Sequence, residues 1–325
     1  MPLPAAALAF AVCFALLYFL VRRLGHVGLD RPNERSLHER PVPRTGGLAV
    51  LAGVATSLCF GALQLWLALT LAFLLALLSL VDDLHGVRSR WRLAGHLAAA
   101  GALVWHALSP MHPVEMVLLI LALAWITNLY NFMDGSDGLA AGMSVLGFGS
   151  YALAGWLAGE VAIAVLAASV AAAAAAFLAY NFHPARIFLG DAGSIPLGFL
   201  AAALGLLGWR NDAWPLWFPL VVFGPFIGDA TLTLIRRAIR GERIWRAHRE
   251  HYYQRMIRMG LGHRATACIE YAAMALCAGA ALYGRDQAPG VQLVVFCGVS
   301  LVLAGIAGWV DLRWARYRRD ESVPA

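Results

Sequence analysis

The chain of 325 residues predicts an all-α polytopic integral membrane protein, and three observations carry that fold class. The first is composition. Apolar residues make up 61% and charged residues 14%, against about 45–50% and about 25% in soluble domains. The second is the length of the apolar runs. Eleven runs approach the roughly 20 residues that cross a bilayer: 3–21, 46–63, 65–81, 93–109, 114–128, 139–157, 161–180, 194–209, 214–235, 264–283 and 291–310. They leave no room for a sizeable soluble domain, so residues 1–325 read as a single transmembrane catalytic domain. The third is the arginines. Segments 22–45, 82–92, 129–138, 181–193 and 236–264, with the stretch after 310, hold 23 of the 25. The intervening turns hold Arg210 and Arg285. The positive-inside rule then places the arginine-rich loops and the C-terminus in the cytoplasm, and the N-terminus outside.

These numbers exclude several function classes. All 25 basic residues are arginine and none is lysine, so neither a Schiff-base lysine nor a P-loop lysine is available. The net charge of +6 orients the chain and gives no reason to expect nucleic acid. Five cysteines (13, 59, 268, 277 and 297) all lie in apolar runs without a CxxC pair. They read as small buried hydrophobes. No GxxxxGK[ST], HExxH or Rossmann fingerprint is present.

Taken in order, the first run lacks a basic n-region and an Ala-x-Ala-like end, so it reads as an uncleaved helix. After it comes a proline-rich loop bearing Asp30, Arg31, Asn33, Arg35, Ser36, His38 and Arg44, which enters the second run through Gly46-Gly47. Little more than Gln64 separates the second run from the third. The third ends in Asp82-Asp83. Adjacent carboxylates at the mouth of a membrane helix repel each other and are costly to desolvate, and a divalent cation such as Mg²⁺ would relieve both; at a helix C-terminus they also oppose the helix dipole.

The fourth and fifth runs lead to Asn128, Asn131, Asp134, Gly135, Asp137 and Gly138, within eleven residues and without an arginine. Glycines permit tight turns, while amides and carboxylates supply the directional contacts a nucleobase or ribose needs. The sixth and seventh runs follow, the seventh with an alanine stretch at 171–176 that suits close helix packing. The next loop contains Asn181, His183 and Arg186 and ends in Gly190-Asp191-Ala-Gly193-Ser194. Asp191 should open the eighth helix, where helix N-termini favour anions and a metal–phosphate cluster. In the ninth run Asp229 is placed deep, with Pro225 and Gly228 allowing a break. The arginine-rich loop after it carries Trp245, Arg246, His248, His251, Gln254 and Arg255. In a helix, His248, His251 and Arg255 would share one face, a strip suited to phosphate oxygens. The HxxH spacing alone is only half a zinc site.

In combination, DRPNERSLHERPVPRTGG, LVDDL, NLYNFMDGSDGLA, RIFLGDAGS and AHREHYYQR resemble the polyprenyl-phosphate N-acetylhexosamine-1-phosphate transferases, glycosyltransferase family 4. The resemblance runs in order from about residue 30 to 255. It implies transfer of a sugar-1-phosphate from a UDP-N-acetylhexosamine to undecaprenyl phosphate, with UMP released and Mg²⁺ required (Mn²⁺ substituting). It also implies a multi-pass protein of the bacterial inner membrane with its site on the cytoplasmic face. Carried over, Asp191 and Asp134 become metal ligands, and Asp82 and Asp83 the base or nucleophile beside the lipid phosphate. Asn131, Asp134 and Asp137 hold phosphate and uridine; His248 and His251 meet the diphosphate or sugar. Asn128, Arg44, Arg186 and Arg255 join the substrate contacts. Surrounding membrane lipid is a further partner, and a homodimer stays open.

Two departures matter. The peptidoglycan lipid I-forming enzyme of the family has a triple-histidine loop and typically ten spans, whereas this loop reads His-Arg-Glu-His. The chain therefore looks more like the branch initiating O-antigen and related lipopolysaccharide, with lipid I formation as the alternative. A secondary transporter is the rival from another class. It would gather its polar residues near the bilayer midplane, where the sequence offers only Asp229 and Glu270. A non-catalytic lipid-binding scaffold would not need the acidic cluster.

Overall fold

A computed structural model describes residues 2–30, 32, 37, 40–243 and 248–321. Arg31, Asn33, Arg35, Ser36, His38, Trp245 and Arg246 lie outside the described residues. The helices are α1 (Pro2–Arg23), α2 (Gly46–Ala55), α3 (Trp66–His85), α4 (Ser89–Leu108), α5 (Pro113–Phe132), α6 (Leu139–Leu157) and α7 (Val161–Asn181). They continue as α8 (Asp191–Arg210), α9 (Trp217–Val222), α10 (Gly224–Ile239), α11 (Tyr252–Met256), α12 (Gly262–Gly284) and α13 (Pro289–Glu321). One two-residue antiparallel ladder pairs Leu29 with Pro43 and Asp30 with Val42.

Eight of the described helical segments are long and apolar enough to cross a membrane, which makes the chain a multi-pass membrane protein. The other three expected runs are helical but differ in form. The second is a ten-residue helix running into two short 3₁₀ turns around Gly61, whose φ of 103° supplies the left-handed step. That break lies three residues before Gln64. The fourth run is the 20-residue α4, whose start carries Arg90 and Arg92. The ninth is divided at Phe223, so α9 and α10 meet just before Pro225, while Gly228 stays inside α10.

The centre of the bundle is α8, buried at every residue from Ala192 to Gly208. Helices α3 and α5 pack on it, while α7 packs between α1 and α6. Small side chains allow these approaches where lipid removes any hydrophobic drive between helices. A Cβ on Gly198, for example, would meet Tyr130 Cβ at 2.6 Å. On the periphery α13 exposes Leu293 and Leu301, as a lipid-facing helix does. Of the five free cysteines, Cys13 and Cys277 are buried; Cys59, Cys268 and Cys297 are exposed on apolar helices. The expectation of five buried thiols therefore holds for two.

Candidate active site

The polar segments meet at the end of the bundle where α3, α5 and α7 finish and α4, α6 and α8 begin. The join depends on two glycines. Gly46 N–H donates to Phe188 O and Gly47 N–H to Leu189 O, each at 2.9 Å. A Cβ on Gly47 would lie 2.5 Å from the Gly193 backbone. The loop entering α2 is thus laid against the Gly190–Ser194 turn, and Arg44 is carried to the same place as Asp191. Gly190 has a φ of 73° and turns the chain into α8.

Between these segments lies a polar cleft of about 260 Å³, lined by Arg44, Asn131, Asp134, Asp137, Asp191 and His263 among others. Arg44, Asp134 and Asp191 line it, and Asp82, Asp83 and Arg92 are tied to it from beside. Asp83 pairs with Arg44 at 3.1 Å. Asp82 accepts from Arg92 at 2.6 Å and from Val87 N–H at 2.7 Å. The other Arg92 nitrogen reaches Asp191 at 3.0 Å. The adjacent carboxylates of α3 therefore diverge to different arginines, which offsets part of their repulsion. Asp191 is the first residue of α8, after the N-cap Gly190, and its carboxylate accepts from Arg92.

Asp134 differs from these three. Burial, and then the Asp191 carboxylate, push its carboxyl well above the usual range. No arginine or histidine among the described residues offsets them. Asn131 is adjacent and donates to Ser194 Oγ at 3.1 Å. Carboxylate, amide and hydroxyl oxygens around an uncompensated acid are the donor set a hard divalent cation prefers, so Asp134 and Asp191 fit a Mg²⁺ site.

Asp137 is held differently again. Its Oδ2 accepts from His183 Nδ1 at 2.7 Å and from Ala185 N–H at 3.1 Å. His263 lies beside it and stacks on His183, with ring centroids 5.3 Å apart. Asn181 fastens the turn below by accepting from Gly138 N–H and donating to Ile187 O.

The loop after α10 corrects the expected single helical face. Residues 248–251 precede the helix, which begins at Tyr252. His251 caps it, and Asp229 accepts from Tyr252 N–H at 2.9 Å, from Tyr253 N–H at 3.0 Å and from Thr233. His251 Nδ1 lies 3.1 Å from the same carboxylate. Asp229 is thus an anchor for a loop. Burial, and then His251 and Arg237, push the His248 pKa down to about 4, so this ring is neutral near pH 7 and adds no cation. Arg255 is buried, pairs with Asp311 at 3.0 Å and lies over the Tyr252 and Trp314 rings.

Of the sequence-predicted residues, the structure brings together Arg44, Asp82, Asp83, Asn131, Asp134, Asp137 and Asp191. Others stand apart. Asn128 donates back into its own helix, to Ala124 O at 2.7 Å. Arg186 donates to Ala179 O and stacks on Tyr180, beside Phe14 and Arg22 and away from the cleft. Arg92 and His263 lie outside the set read from the sequence, and His183 is named there only as part of its loop, without a role. Arg92 reads as one more topological arginine, and only the three-dimensional approach of α4 to α8 shows its role. His183 sits in an Asn-Phe-His-Pro turn, and His263 follows the glycine pair that opens α12; each had an available signal in a polar side chain at a loop–helix junction.

The glycosyl transferase family 4 description matches residues 65–208. The chain is similar to a Bacillus subtilis protein named "Probable undecaprenyl-phosphate N-acetylglucosaminyl 1-phosphate transferase", 31% identical over 262 residues, covering 75% of this chain and 73% of that protein. It is 30% identical to the decaprenyl-phosphate N-acetylglucosaminephosphotransferase of Mycobacterium tuberculosis over 344 aligned positions, covering 90% and 84%. A phospho-N-acetylmuramoyl-pentapeptide-transferase from Geobacillus sp. is 36% identical over 146 residues, covering 44% and 43%.

Proposed function

The chain belongs to glycosyl transferase family 4, and from that premise we propose that it moves an N-acetylhexosamine-1-phosphate from a UDP-sugar to undecaprenyl phosphate. An oxygen of the lipid phosphate attacks the β-phosphorus of the UDP-sugar. The bond from that phosphorus to the oxygen bridging to the α-phosphate breaks, and UMP leaves. The product is undecaprenyl-diphosphate-sugar. UDP-N-acetylglucosamine is the first donor to try, because the Bacillus and Mycobacterium relatives carry N-acetylglucosamine in their names.

One observation carries the reading: Asp82, Asp83, Asp134 and Asp191, with Arg44 and Arg92, converge at one end of a membrane bundle. Phosphoryl transfer depends mainly on positioning and neutralising charge. Arginine forks suit phosphate oxygens. Asp134 and Asp191 would hold Mg²⁺, which when bound neutralises the donor diphosphate. Asp83, at the helix end beside Arg44, is placed to take a proton from the lipid phosphate. Asn131, held by its hydrogen bond to Ser194 Oγ, orients the donor. The arginine asymmetry supports a cytoplasmic site in the bacterial inner membrane, where a water-soluble donor can meet a lipid acceptor. The product suits the start of a cell-surface polysaccharide such as O-antigen.

The test is direct. Membranes containing the protein, undecaprenyl phosphate, Mg²⁺ and a panel of radiolabelled UDP-N-acetylhexosamines should yield lipid-extractable label and UMP. No label in lipid from any donor would reject the proposal. Label from UDP-N-acetylmuramoyl-pentapeptide alone would move it to lipid I formation.

A further inference from the structure

We infer that Asp137, His183 and His263 form a cation site of their own, built for a transition ion of the Zn²⁺ type. The three come from separate parts of the chain: the turn between α5 and α6, the loop after α7, and the start of α12. One ligand atom from each lies within 4.8 Å of the others. The inference does not depend on the transferase reading.

The hydrogen bonds decide how His263 is protonated. Its Nε2 lies 3.1 Å from Leu37 O. A carbonyl only accepts, so Nε2 carries the proton and Nδ1 presents a lone pair. Ser136 Oγ lies 3.0 Å from that Nδ1 and can donate to it, and the Asp137 N–H donates to it at 3.4 Å, so an ion would take the place of these two contacts. The same Nδ1 lies 3.9 Å from Asp137 Oδ1. Two electron-rich atoms therefore face each other across a gap too long for a hydrogen bond. Zinc bonds of about 2.0–2.2 Å to nitrogen and oxygen would span that gap and turn repulsion into ligation. His183, parallel to His263 within 4°, supplies the second nitrogen by exchanging its contact with Asp137 Oδ2 for the ion. Ala185 N–H, already on Oδ2 at 3.1 Å, and Leu37 O, on the far nitrogen of His263, would hold two of the ligands in place from outside.

The donor types select the ion. Two imidazoles and one carboxylate suit Zn²⁺, Co²⁺, Ni²⁺ or Fe²⁺, whereas Mg²⁺ seeks oxygen. Three protein ligands also leave coordination open. Asp137 and His263 line the cleft, and the His183 side chain is 41% exposed, so the open positions face the place where a ligand oxygen would enter. Asp137 would then reach a bound ligand through the ion, while the ion ties three loop segments into one wall.

Co²⁺ is the probe. The full chain, in detergent and stripped with a chelator, should take up Co²⁺ with visible absorption stronger than that of six-coordinate, all-oxygen Co²⁺. Zn²⁺ should displace it and Mg²⁺ should not. His183→Gln and His263→Gln should lose the bands, and Asp191→Asn should keep them. No such bands in the wild-type chain under excess Co²⁺ overturn the inference, as do bands that persist in the double histidine variant. The wild-type measurement alone is decisive, so a misfolded variant cannot shield the idea. Since binding is read without turnover, failure here leaves the transferase reading standing, and the reverse also holds.

Discussion

Arg92 donates to Asp191 at 3.0 Å across 99 positions of sequence, and its other terminal nitrogen holds Asp82 at 2.6 Å. The start of α4 thereby joins the end of α3 to the start of α8. The planar fork of arginine serves two carboxylates at once, and a lysine ammonium is a poor replacement at such a site. Arg92→Lys is expected to lower the rate of sugar-phosphate transfer by about tenfold or more. Arg92→Gln, which leaves both acids uncompensated, should lower it by about a hundredfold. Rates of transfer to extractable lipid measure both. A wild-type rate in Arg92→Lys would mean that the bridge has no part in turnover.

The proposed Mg²⁺ site rests on Asp134 and Asp191. Asp191→Asn should reduce turnover by at least about 10²-fold while the purified protein keeps its elution volume and melting midpoint. EDTA should abolish activity, and Mg²⁺ or Mn²⁺ should restore it. Near-normal turnover in Asp191→Asn removes that residue from the Mg²⁺ site. Restoration by Zn²⁺ alone would shift the chemistry to an imidazole-bearing site.

Much of this site was legible because it rests on local chemistry. Asp191 opens α8, as a Gly-Asp-x-Gly-Ser turn requires, and Asn131, Asp134 and Asp137 sit in a turn that a helix pattern cannot absorb. What could not be read depends on distant approach. Arg92 has the same local surroundings as Arg88 and Arg90, and only packing sends it to Asp191. Asp229 looks like a membrane-depth acid until α11 comes back to place two backbone N–H groups on it. Arg255 carries a charge suited to phosphate, yet Asp311 of α13, 56 positions away, takes it.

Gly47 offers a steric test of how the site is assembled. A Cβ there would lie 2.5 Å from Gly193 Cα and N and 2.8 Å from Leu189 O. These are backbone atoms and cannot rotate aside. Gly47→Ala should cost about 1–3 kcal/mol of stability and lower turnover by displacing the turn that carries Asp191. Gly149 in α6, where a Cβ meets nothing within 4 Å, is the control, and Gly149→Ala should leave both unchanged. Melting midpoints and transfer rates that are the same for the two variants would refute the close docking.

Asp229 should behave as a structural residue. Hydrogen bonds to a charged group contribute about 1.5–3 kcal/mol, and leaving a buried donor unpaired costs about 1–3 kcal/mol. Asp229→Ala strands the Tyr252 and Tyr253 amides. Its melting midpoint should fall, and limited proteolysis should cut between α10 and α12 more readily. Asp229→Asn should lie between, since an amide offers one oxygen where the carboxylate offered two. A transporter would use this acid for its cargo, so an undiminished melting midpoint in Asp229→Ala would favour that rival.

His248 sets an acid limit on stability. Burial holds its folded-state pKa at about 4, against about 6.5 in an unfolded chain. Above about pH 6.5 the ring is neutral in both states and contributes no pH dependence. Between about 6.5 and 4 the unfolded chain binds a proton that the folded chain refuses, so stability falls as pH falls through this window. One proton sets a ceiling of about 1.4 kcal/mol per pH unit, and the half-exposed ring should deliver well under it. Melting midpoints of the wild type and His248→Gln should therefore run parallel above about pH 7 and separate toward pH 5, with the wild type falling more steeply. Parallel curves down to about pH 5 would mean that the ring takes up its proton in the folded protein as readily as in water.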